Sequence, residues 1–290
     1  MNDGVATRNG VRVTEGGAGQ PVLLLLHGMG ATGDVWRGWC DLLGKRWPGR
    51  WLAPDLPGHG GSAPLDRYTF ESFAAAIAGL LDPGDRVVVL GQSLGGAVGL
   101  ALAGMVGARS PAGVGGARAS AGVGGAGPSA GARAGWSVEA VVGIGVKVAW
   151  TPDELARTGV LAERPVAWYD SRAEAAQRYL RISGLTGLLD ADDSEVDAGL
   201  VAAADGRWRL AMDPRAFAVG APVIADLLLG AVPAPVLLAR GERDPLVSDD
   251  DLARLGVPAT TLPGLGHNAH VEDPAAVAGL LEPYGLTPRD

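Results

Sequence analysis

A serine flanked by glycines lies between two apolar segments, and this arrangement could turn its hydroxyl into a nucleophile. Ser93 is the centre of Gly-Gln-Ser-Leu-Gly at 91–95, which follows a strand-like run at 87–90 and precedes a helix-compatible run at 96–106. A sharp strand-to-helix turn requires small neighbours, because a Cβ there would strike adjacent backbone. The helix that follows would direct free N–H groups and its positive dipole end towards an anion forming near the hydroxyl. The pattern also arises by chance in a chain with 46 glycines, so partners are needed elsewhere.

A serine hydroxyl needs a base to take its proton and a carboxylate to orient that base. The chain has four histidines, of which His27 and His59 precede the serine whereas His267 and His270 follow it. His59 belongs to Pro-Gly-His-Gly-Gly-Ser, a turn-forming composition that favours a structural role. His267 and His270, three residues apart, are both candidates for the base.

Two predicted strands, Pro235 to Arg240 and Ala259 to Leu262, lead into loops that carry Asp244 and His267, respectively. Catalytic groups of open parallel sheets gather at the carboxyl ends of the strands, where Ser93 is also expected. The three residues then occur in the order nucleophile, acid, base, which is one of the known orders for such a triad.

The carboxylate has rivals in the same stretch of chain. Glu242 lies two residues before Asp244, and three aspartates follow at 249–251. The run of aspartates is typical of a solvated helix start, where acidic groups meet the positive end of the helix dipole. We therefore favour Asp244.

Five motifs together resemble one known family. They are His-Gly-Met-Gly at 27–30, Asp-Leu-Pro-Gly-His-Gly-Gly-Ser at 55–62, Gly-Gln-Ser-Leu-Gly-Gly at 91–96, Gly-Glu-Arg-Asp at 241–244 and Gly-His at 266–267. In this order and over nearly the whole chain, they are similar to α/β-hydrolase-fold proteins of the lid-bearing serine hydrolase branch. The resemblance implies that Ser93 is the nucleophile, Asp244 the orienting carboxylate and His267 the general base and then acid.

The resemblance also implies an oxyanion hole. One donor should be the backbone N–H of Leu94, directly after the nucleophile, and the other the N–H of Met29 in the loop after the strand Val22 to Leu26. The family places its base directly after a glycine, which favours His267 over His270. For His27, similarity to the family favours a ring that braces this loop.

Alternation of apolar strands and helix patterns predicts an α/β protein with a mostly parallel sheet flanked by helices. Residues 1–150 should form the first part of the core and 221–290 the second, with an inserted helical lid at 151–220. An Asn-Gly pair at 9–10 predicts an opening hairpin. Residues 108–135, almost wholly Gly, Ala, Ser, Pro and Arg with an imperfect repeat, are expected to be a disordered loop.

The predicted lid contains capping-box patterns at Thr151 and Ser171 and no strand signal. It should cover the strand ends where Ser93 lies, because inserted lids exclude water and shape the pocket. Four aromatic residues are candidates to line that pocket or merely to pack the lid onto the core: Trp150, Trp168, Tyr169 and Trp208.

Composition limits the other possibilities. A chain of 290 residues can form one α/β domain with an insertion, and a net charge of −8 argues against nucleic acid or an anionic membrane as partner. The single Cys40 lies in an apolar stretch that favours packing. No apolar run approaches the roughly 18 residues of a membrane span, so we expect a cytoplasmic protein with neither cofactor nor metal. Nothing in the sequence indicates an oligomeric state.

These patterns predict a serine hydrolase that cleaves an ester-like bond of a small molecule, a carboxylic ester, thioester or lactone, through an acyl-enzyme. The same triad would also serve carbon–carbon bond hydrolases and other non-ester chemistries of this fold. A slow-turnover ligand sensor is a third possibility. Substrate identity does not follow from the sequence, because specificity depends on lid packing.

Overall fold

A computed structural model describes residues 4–107, 135–220, 227 and 232–287. In these ranges eight strands form one sheet: β1 Gly4–Arg8, β2 Val11–Gly17, β3 Val22–Leu26, β4 Arg50–Pro54, β5 Arg86–Gln92, β6 Ser137–Ile144, β9 Val236–Gly241 and β10 Ala259–Leu262. Their order in the sheet is β1-β2-β4-β3-β5-β6-β9-β10, and each neighbouring pair from β4 to β10 is parallel. The predicted α/β architecture is confirmed.

Helices connect these strands on both sides of the sheet. They are α1 Cys40–Arg46, α2 Phe70–Ala78, α3 Leu94–Gly107, α4 Pro152–Ala162, α5 Arg172–Ile182, α6 Ser194–Asp197, α7 Asp249–Ala253, α8 Ala269–Glu272 and α9 Pro274–Ala278, with 3₁₀ helices at Gly33–Trp39, Pro214–Val219 and Gly279–Tyr284. No helix among the described residues has the length and apolar character to cross a membrane.

Strand β3 shows why the sheet needs cover on both faces. All five of its residues are buried, and successive side chains point to opposite faces. Leu24 and Leu26 belong to one hydrophobic cluster, with α2 and α3, whereas Leu23 and Leu25 belong to the other, with Trp36 and the C-terminal helices. A continuous apolar run is therefore what this central position requires.

The chain opens with the predicted hairpin. β1 and β2 pair antiparallel, with Arg8 opposite Val11, and the two turn residues Asn9 and Gly10 have φ of 50° and 78°. Positive φ at both positions is the requirement of a type I′ turn, which Asn-Gly satisfies with little strain.

A buried ion network joins the hairpin to the loops beside the site. The Arg12 guanidinium contacts Asp34 at 3.1 Å and Asp55 at 3.2 Å. Asp55 also accepts hydrogen bonds from the backbone N–H groups of Gly33 at 2.7 Å and Gly61 at 2.8 Å. These charge-assisted bonds hold the segment after β3 against the segment after β4.

The sequence predicts a helical segment at 151–220, but the structure shows that this segment is only partly helical. It contains α4, α5 and α6, but also a two-stranded antiparallel hairpin, β7 Leu200–Ala202 and β8 Trp208–Leu210. Strands of three residues are too short to show alternation in the sequence. The turn between them spans Ala203 to Gly206, is closed by a hydrogen bond from the Gly206 N–H to the Ala203 carbonyl at 3.1 Å, and ends with Gly206 at φ of 86°.

The loop predicted to be disordered, at 108–135, lies outside the described residues except for its last position. Gly135 accepts a hydrogen bond at its carbonyl from the N–H of Gly84 at 2.7 Å and leads into β6. The chain thus re-enters the sheet beside β5.

Candidate active site

Ser93 lies at the turn between β5 and α3 in a left-handed backbone conformation, with φ of 50°. A non-glycine residue in this region is uncommon and is held there by its surroundings. The Ser93 N–H donates to the Ile144 carbonyl at 2.8 Å, and its own carbonyl accepts from the N–H of Gly96 at 3.0 Å. The strand and the helix therefore fix the turn from both sides and place Ser93 at the carboxyl end of the central strand β5.

The tightness of this turn gives a prediction about Gly95. A Cβ at Gly95 would overlap the backbone of Leu26 and come within 2.7 Å of the His27 carbonyl oxygen, and backbone cannot move aside as a side chain can. Gly95→Ala should therefore lower the free energy of unfolding by about 1–3 kcal/mol or more. Gly104→Ala is the matched control on the same helix, because its Cβ would have nothing within 4 Å. Urea denaturation should show destabilisation by the first substitution, and equal midpoints for the two variants would contradict the account.

His267 and Asp244 form a hydrogen-bonded pair at the ends of β10 and β9. His267 Nδ1 lies 2.9 Å from Asp244 Oδ2, and the other carboxylate oxygen accepts the Leu246 N–H at 2.8 Å. The Asp244 side chain is fully buried, whereas that of His267 is 19% exposed. A carboxylate that accepts from Nδ1–H leaves Nε2 free to take a proton.

The rival candidates for the base and the carboxylate make other contacts. His270 is buried against Trp36, with ring centroids 4.5 Å apart, and neither of its ring nitrogens has a hydrogen-bond partner among the described residues. Glu242 accepts the Gly264 N–H at 2.7 Å on the surface, and Asp249 accepts from Arg240 at 3.1 Å and from a threonine hydroxyl. The three aspartates begin helix α7 as predicted.

Two residues that support the pair were missed in the sequence. Gln92 donates from Nε2 to the His267 carbonyl at 3.1 Å and so ties the histidine loop to the residue before Ser93. Gly145, at φ of 60°, leaves the space in which the imidazole lies, because a Cβ there would come within 2.9 Å of His267 Nδ1. Gln92 was visible only as the variable second position of the motif, which carries no signal of its own.

The loop after β3 approaches Ser93 closely. A Cβ at Gly28 would lie 3.4 Å from the Ser93 Cβ, and Met29 lines the same cavity as Ser93. Leu94 is the first residue of α3, so its N–H has no acceptor within the helix. Met29 and Leu94 therefore line the cavity at Ser93 from two separate elements.

His27 braces this loop. The Leu56 N–H donates to His27 Nε2 at 2.8 Å, so Nδ1 carries the proton and donates to the Gly28 carbonyl, also at 2.8 Å. The His59 ring packs edge-on against it, with centroids 5.2 Å apart, and donates from Nδ1 to the Pro57 carbonyl at 3.1 Å. Both rings are buried and hold loops together.

Three buried histidines should make the fold sensitive to acid. Burial lowers the pKa of His27 to about 4 and those of His59 and His270 to about 3. In the unfolded chain each would take up a proton below about pH 6.5, so the unfolded state binds more protons. Stability is then fully present above pH 6.5 and should fall towards pH 4, by about 1.4 kcal/mol per pH unit for each histidine. Urea denaturation across this range measures the slope.

The control for this acid sensitivity is His270→Phe. A phenyl ring keeps the packing on Trp36 and removes two ring nitrogens that have no partner among the described residues. In the variant, the free energy of unfolding should fall less steeply with pH below pH 6, by about the 1.4 kcal/mol per pH unit that His270 contributes. A slope identical to that of the original chain would show that His270 is not held neutral by the fold.

Ser93 and His267 line one cavity of about 400 Å³, here called the serine cavity. Its other walls include the segment directly after β6, with Val146 and Lys147, and the segment at 151–220, with Ile182 of α5 and Phe217 of the 3₁₀ helix Pro214–Val219. Trp150 also lines it and donates from Nε1 to a backbone carbonyl at 3.2 Å. The cavity is of the size expected for a small-molecule site.

The other three aromatic candidates lie elsewhere. Tyr169 lines a second cavity behind the first. Trp168 is 41% exposed under the Arg207 guanidinium, which is 5.1 Å from its ring centroid, and Trp208 pairs its backbone with Tyr169 and packs on the core. Neither Trp168 nor Trp208 lines the serine cavity.

Comparison with known proteins places the chain in a family. A sequence profile of the alpha/beta hydrolase family matches residues 23–280. Lipase LipV of Mycobacterium tuberculosis is 30% identical over 278 residues, which cover 92% of this chain and 94% of the lipase. An uncharacterised protein of Mycobacterium bovis is 38% identical over 86 residues, so the chain spans only 25% of that relative's length.

Solved structures share the fold. A thioesterase domain from the curacin biosynthetic pathway superposes with a TM-score of 0.69 at 19% identity, over 97% of this chain and 99% of that one. An esterase of M. tuberculosis has the same TM-score at 22% identity, over 98% and 91% of the two chains. With the profile match and the full-length relative, these findings show that the chain belongs to the alpha/beta hydrolase family.

Proposed function

We propose that this protein is a serine hydrolase that cleaves an ester-like bond, a carboxylic ester, thioester or lactone, of a small molecule. The observation that carries the proposal is the hydrogen bond between His267 and Asp244 at 2.9 Å on the wall of the cavity that Ser93 also lines. Similarity to proteins named lipase, esterase and thioesterase supports the choice of bond.

The proposed reaction starts with proton transfer from the Ser93 hydroxyl to Nε2 of His267. The serine oxygen attacks the carbonyl carbon, and the developing oxyanion accepts hydrogen bonds from the N–H groups of Leu94 and Met29. The tetrahedral intermediate collapses when His267 gives the proton to the leaving oxygen or sulfur. An acyl group then remains as an ester on Ser93.

Water completes the cycle by the same steps. His267 takes a proton from the water, the resulting hydroxide attacks the acyl carbon, and Ser93 leaves with the proton that His267 returns. The buried Asp244 stabilises the imidazolium in both halves and keeps Nδ1 protonated. The product is a carboxylic acid, and the protein returns to its starting protonation state.

The segment at 151–220 is proposed to be the lid. Residues of α4 and α5 and of the 3₁₀ helix at Pro214–Val219 line the serine cavity opposite Ser93. Ile182, Phe217 and Val219 supply part of its apolar wall, which would exclude water from the oxyanion. Residues 1–150 and 221–290 form the core in this division.

The test is sustained turnover of activated esters. We expect p-nitrophenyl acetate and butyrate, and the matching thioesters, to be hydrolysed for many cycles, with an initial burst of nitrophenolate if deacylation is slower than acylation. Release that stops at one equivalent, together with a large thermal shift on binding, would indicate a sensor and contradict the proposal. Absence of any ester or thioester turnover would contradict it as well.

A further inference from the structure

The serine cavity adjoins a second cavity of about 310 Å³, here called the lid cavity. Ile182 and Phe217 line both, so these two side chains form the partition between them. The rest of the lid-cavity wall is largely apolar and includes Leu161, Val166, Leu210 and Met212. The lid cavity is thus a second, largely apolar compartment that adjoins the serine cavity and is lined by residues of the segment at 151–220.

The partition also contacts the loop beside Ser93. A Cβ at Gly30, whose φ is 79°, would overlap Cγ2 of Ile182. Ile182 thus packs directly on the segment that carries Met29. The partition between the two cavities therefore lies beside the loop next to Ser93 and not at a distant part of the serine cavity.

The ionisable side chains on the walls of the two cavities are all cations, apart from His267 and Tyr169. Lys147 and Arg181 line the serine cavity, whereas Arg164 and Arg178 line the lid cavity, and no Asp or Glu lines either among the described residues. This contrasts with the net charge of −8 for the chain. The local excess of positive charge is therefore not a consequence of composition.

Three of these cations have no partner among the residues that the structure describes. Lys147 forms an ion pair with Glu154, but the guanidinium groups of Arg164, Arg178 and Arg181 have neither an ion pair nor a hydrogen bond within the described parts of the chain. Arg178 and Arg181 are three residues apart on α5, and Ile182 follows, so all three share one helix face. An unpaired guanidinium matches the planar geometry of a carboxylate or phosphate.

We propose that the lid cavity binds the distal end of the substrate and that this end is an anion, a carboxylate or a phosphate, held by Arg178 and Arg164. An apolar chain would join the anion to the ester-like bond and pass between Ile182 and Phe217. This inference rests on the proposed function, because it names the class of substrate that Ser93 would cleave.

The first experiment compares esters that differ in the terminal group alone. p-Nitrophenyl hexanoate and octanoate are set against the p-nitrophenyl monoesters of dicarboxylic acids of equal chain length. The protein should show a higher kcat/KM for the carboxylate-terminated ester at one chain length or more. The preference should shrink at high salt, because salt screens the attraction between the anion and the exposed Arg164 and half-buried Arg178.

Matched variants assign the preference to the lid cavity. Arg178→Gln and Arg164→Gln should each lower kcat/KM for the anionic ester about tenfold, the size of one charge-assisted hydrogen bond, and leave the neutral ester within about twofold. Arg157→Gln is the control, because this substitution changes the net charge by the same amount. Arg157 lies on α4 and lines neither cavity. It should leave both esters unchanged.

A second pair of substrates separates the two sources of the anion. S-Butyryl phosphopantetheine carries a phosphate on the leaving group, and S-butyryl-N-acetylcysteamine is its neutral truncation. A preference that Arg178→Gln abolishes in either pair supports the proposal and tells carboxylate from phosphate. Neutral esters hydrolysed without any charge preference would overturn this inference and leave the proposed function standing, whereas failure of every ester and thioester would overturn both.

Discussion

Replacing Ser93 with alanine should lower kcat for activated esters by about four to six orders of magnitude, the loss seen when the nucleophile of such a triad is removed. The fold should persist, because alanine keeps the Cβ and the strained φ of 50° is set by the surrounding strand and helix. Initial rates with p-nitrophenyl acetate measure the loss, and the midpoint of thermal unfolding checks the fold.

The control for this loss is Ser183→Ala, since Ser183 also lines the serine cavity. Its hydroxyl donates to the Tyr179 carbonyl at 2.8 Å within the last turn of α5. Removing that bond should change kcat by less than about tenfold, because the group takes no part in the proposed chemistry. Comparable losses in the two variants would mean that Ser93 acts through packing and not as a nucleophile.

Asp244→Asn should lower kcat by about four orders of magnitude while it preserves the shape of the site. The amide nitrogen of asparagine can donate to His267, so the imidazole would lose the tautomer in which Nε2 is free to accept a proton. The charge that stabilises the imidazolium would vanish as well. Steady-state kinetics on the same esters measure the effect.

Glu242→Gln is the matched control for that substitution. Glu242 is the other acid of the Gly-Glu-Arg-Asp motif and accepts the Gly264 N–H at 2.7 Å on the surface. A glutamine oxygen can accept the same bond, so activity should stay within about threefold of the original. A larger loss from Glu242→Gln than from Asp244→Asn would reassign the orienting carboxylate.

Much of the fold was predictable because its signals are local. The Asn-Gly pair at 9–10 requires positive φ at two successive residues, and the structure has it. The uniformly apolar run of β3 indicates a strand covered on both faces, and both faces are covered. Glycines around Ser93 indicate a turn too tight for a Cβ, and the backbone contacts at Gly95 give the reason.

The insert was less predictable because its structure depends on packing between elements. The hairpin of β7 and β8 consists of two three-residue strands, too short for a periodic signal. Trp168 and Trp208 are aromatic residues like Trp150, yet only Trp150 of the three lines the serine cavity. Nothing in the sequence distinguishes the three.

The cations of the cavities were hidden for a related reason. Arg164, Arg178 and Arg181 occur among many charged residues of the segment at 151–220, and nothing in their spacing indicates that they line a cavity. The position of Arg178 and Arg181 on the cavity walls depends on how α5 packs against the core through Ile182. Specificity in this fold therefore has to be inferred from the structure, although the proposed chemistry is already indicated by the sequence motifs.

The most direct test of the central claim is to find which residue a fluorophosphonate modifies. Such a reagent phosphonylates a serine only where a base and oxyanion donors activate it. Peptide mass spectrometry should find one modified site, Ser93, and Asp244→Asn should slow the labelling strongly. Modification of another residue, or sustained ester turnover with Ser93 unmodified, would contradict the account.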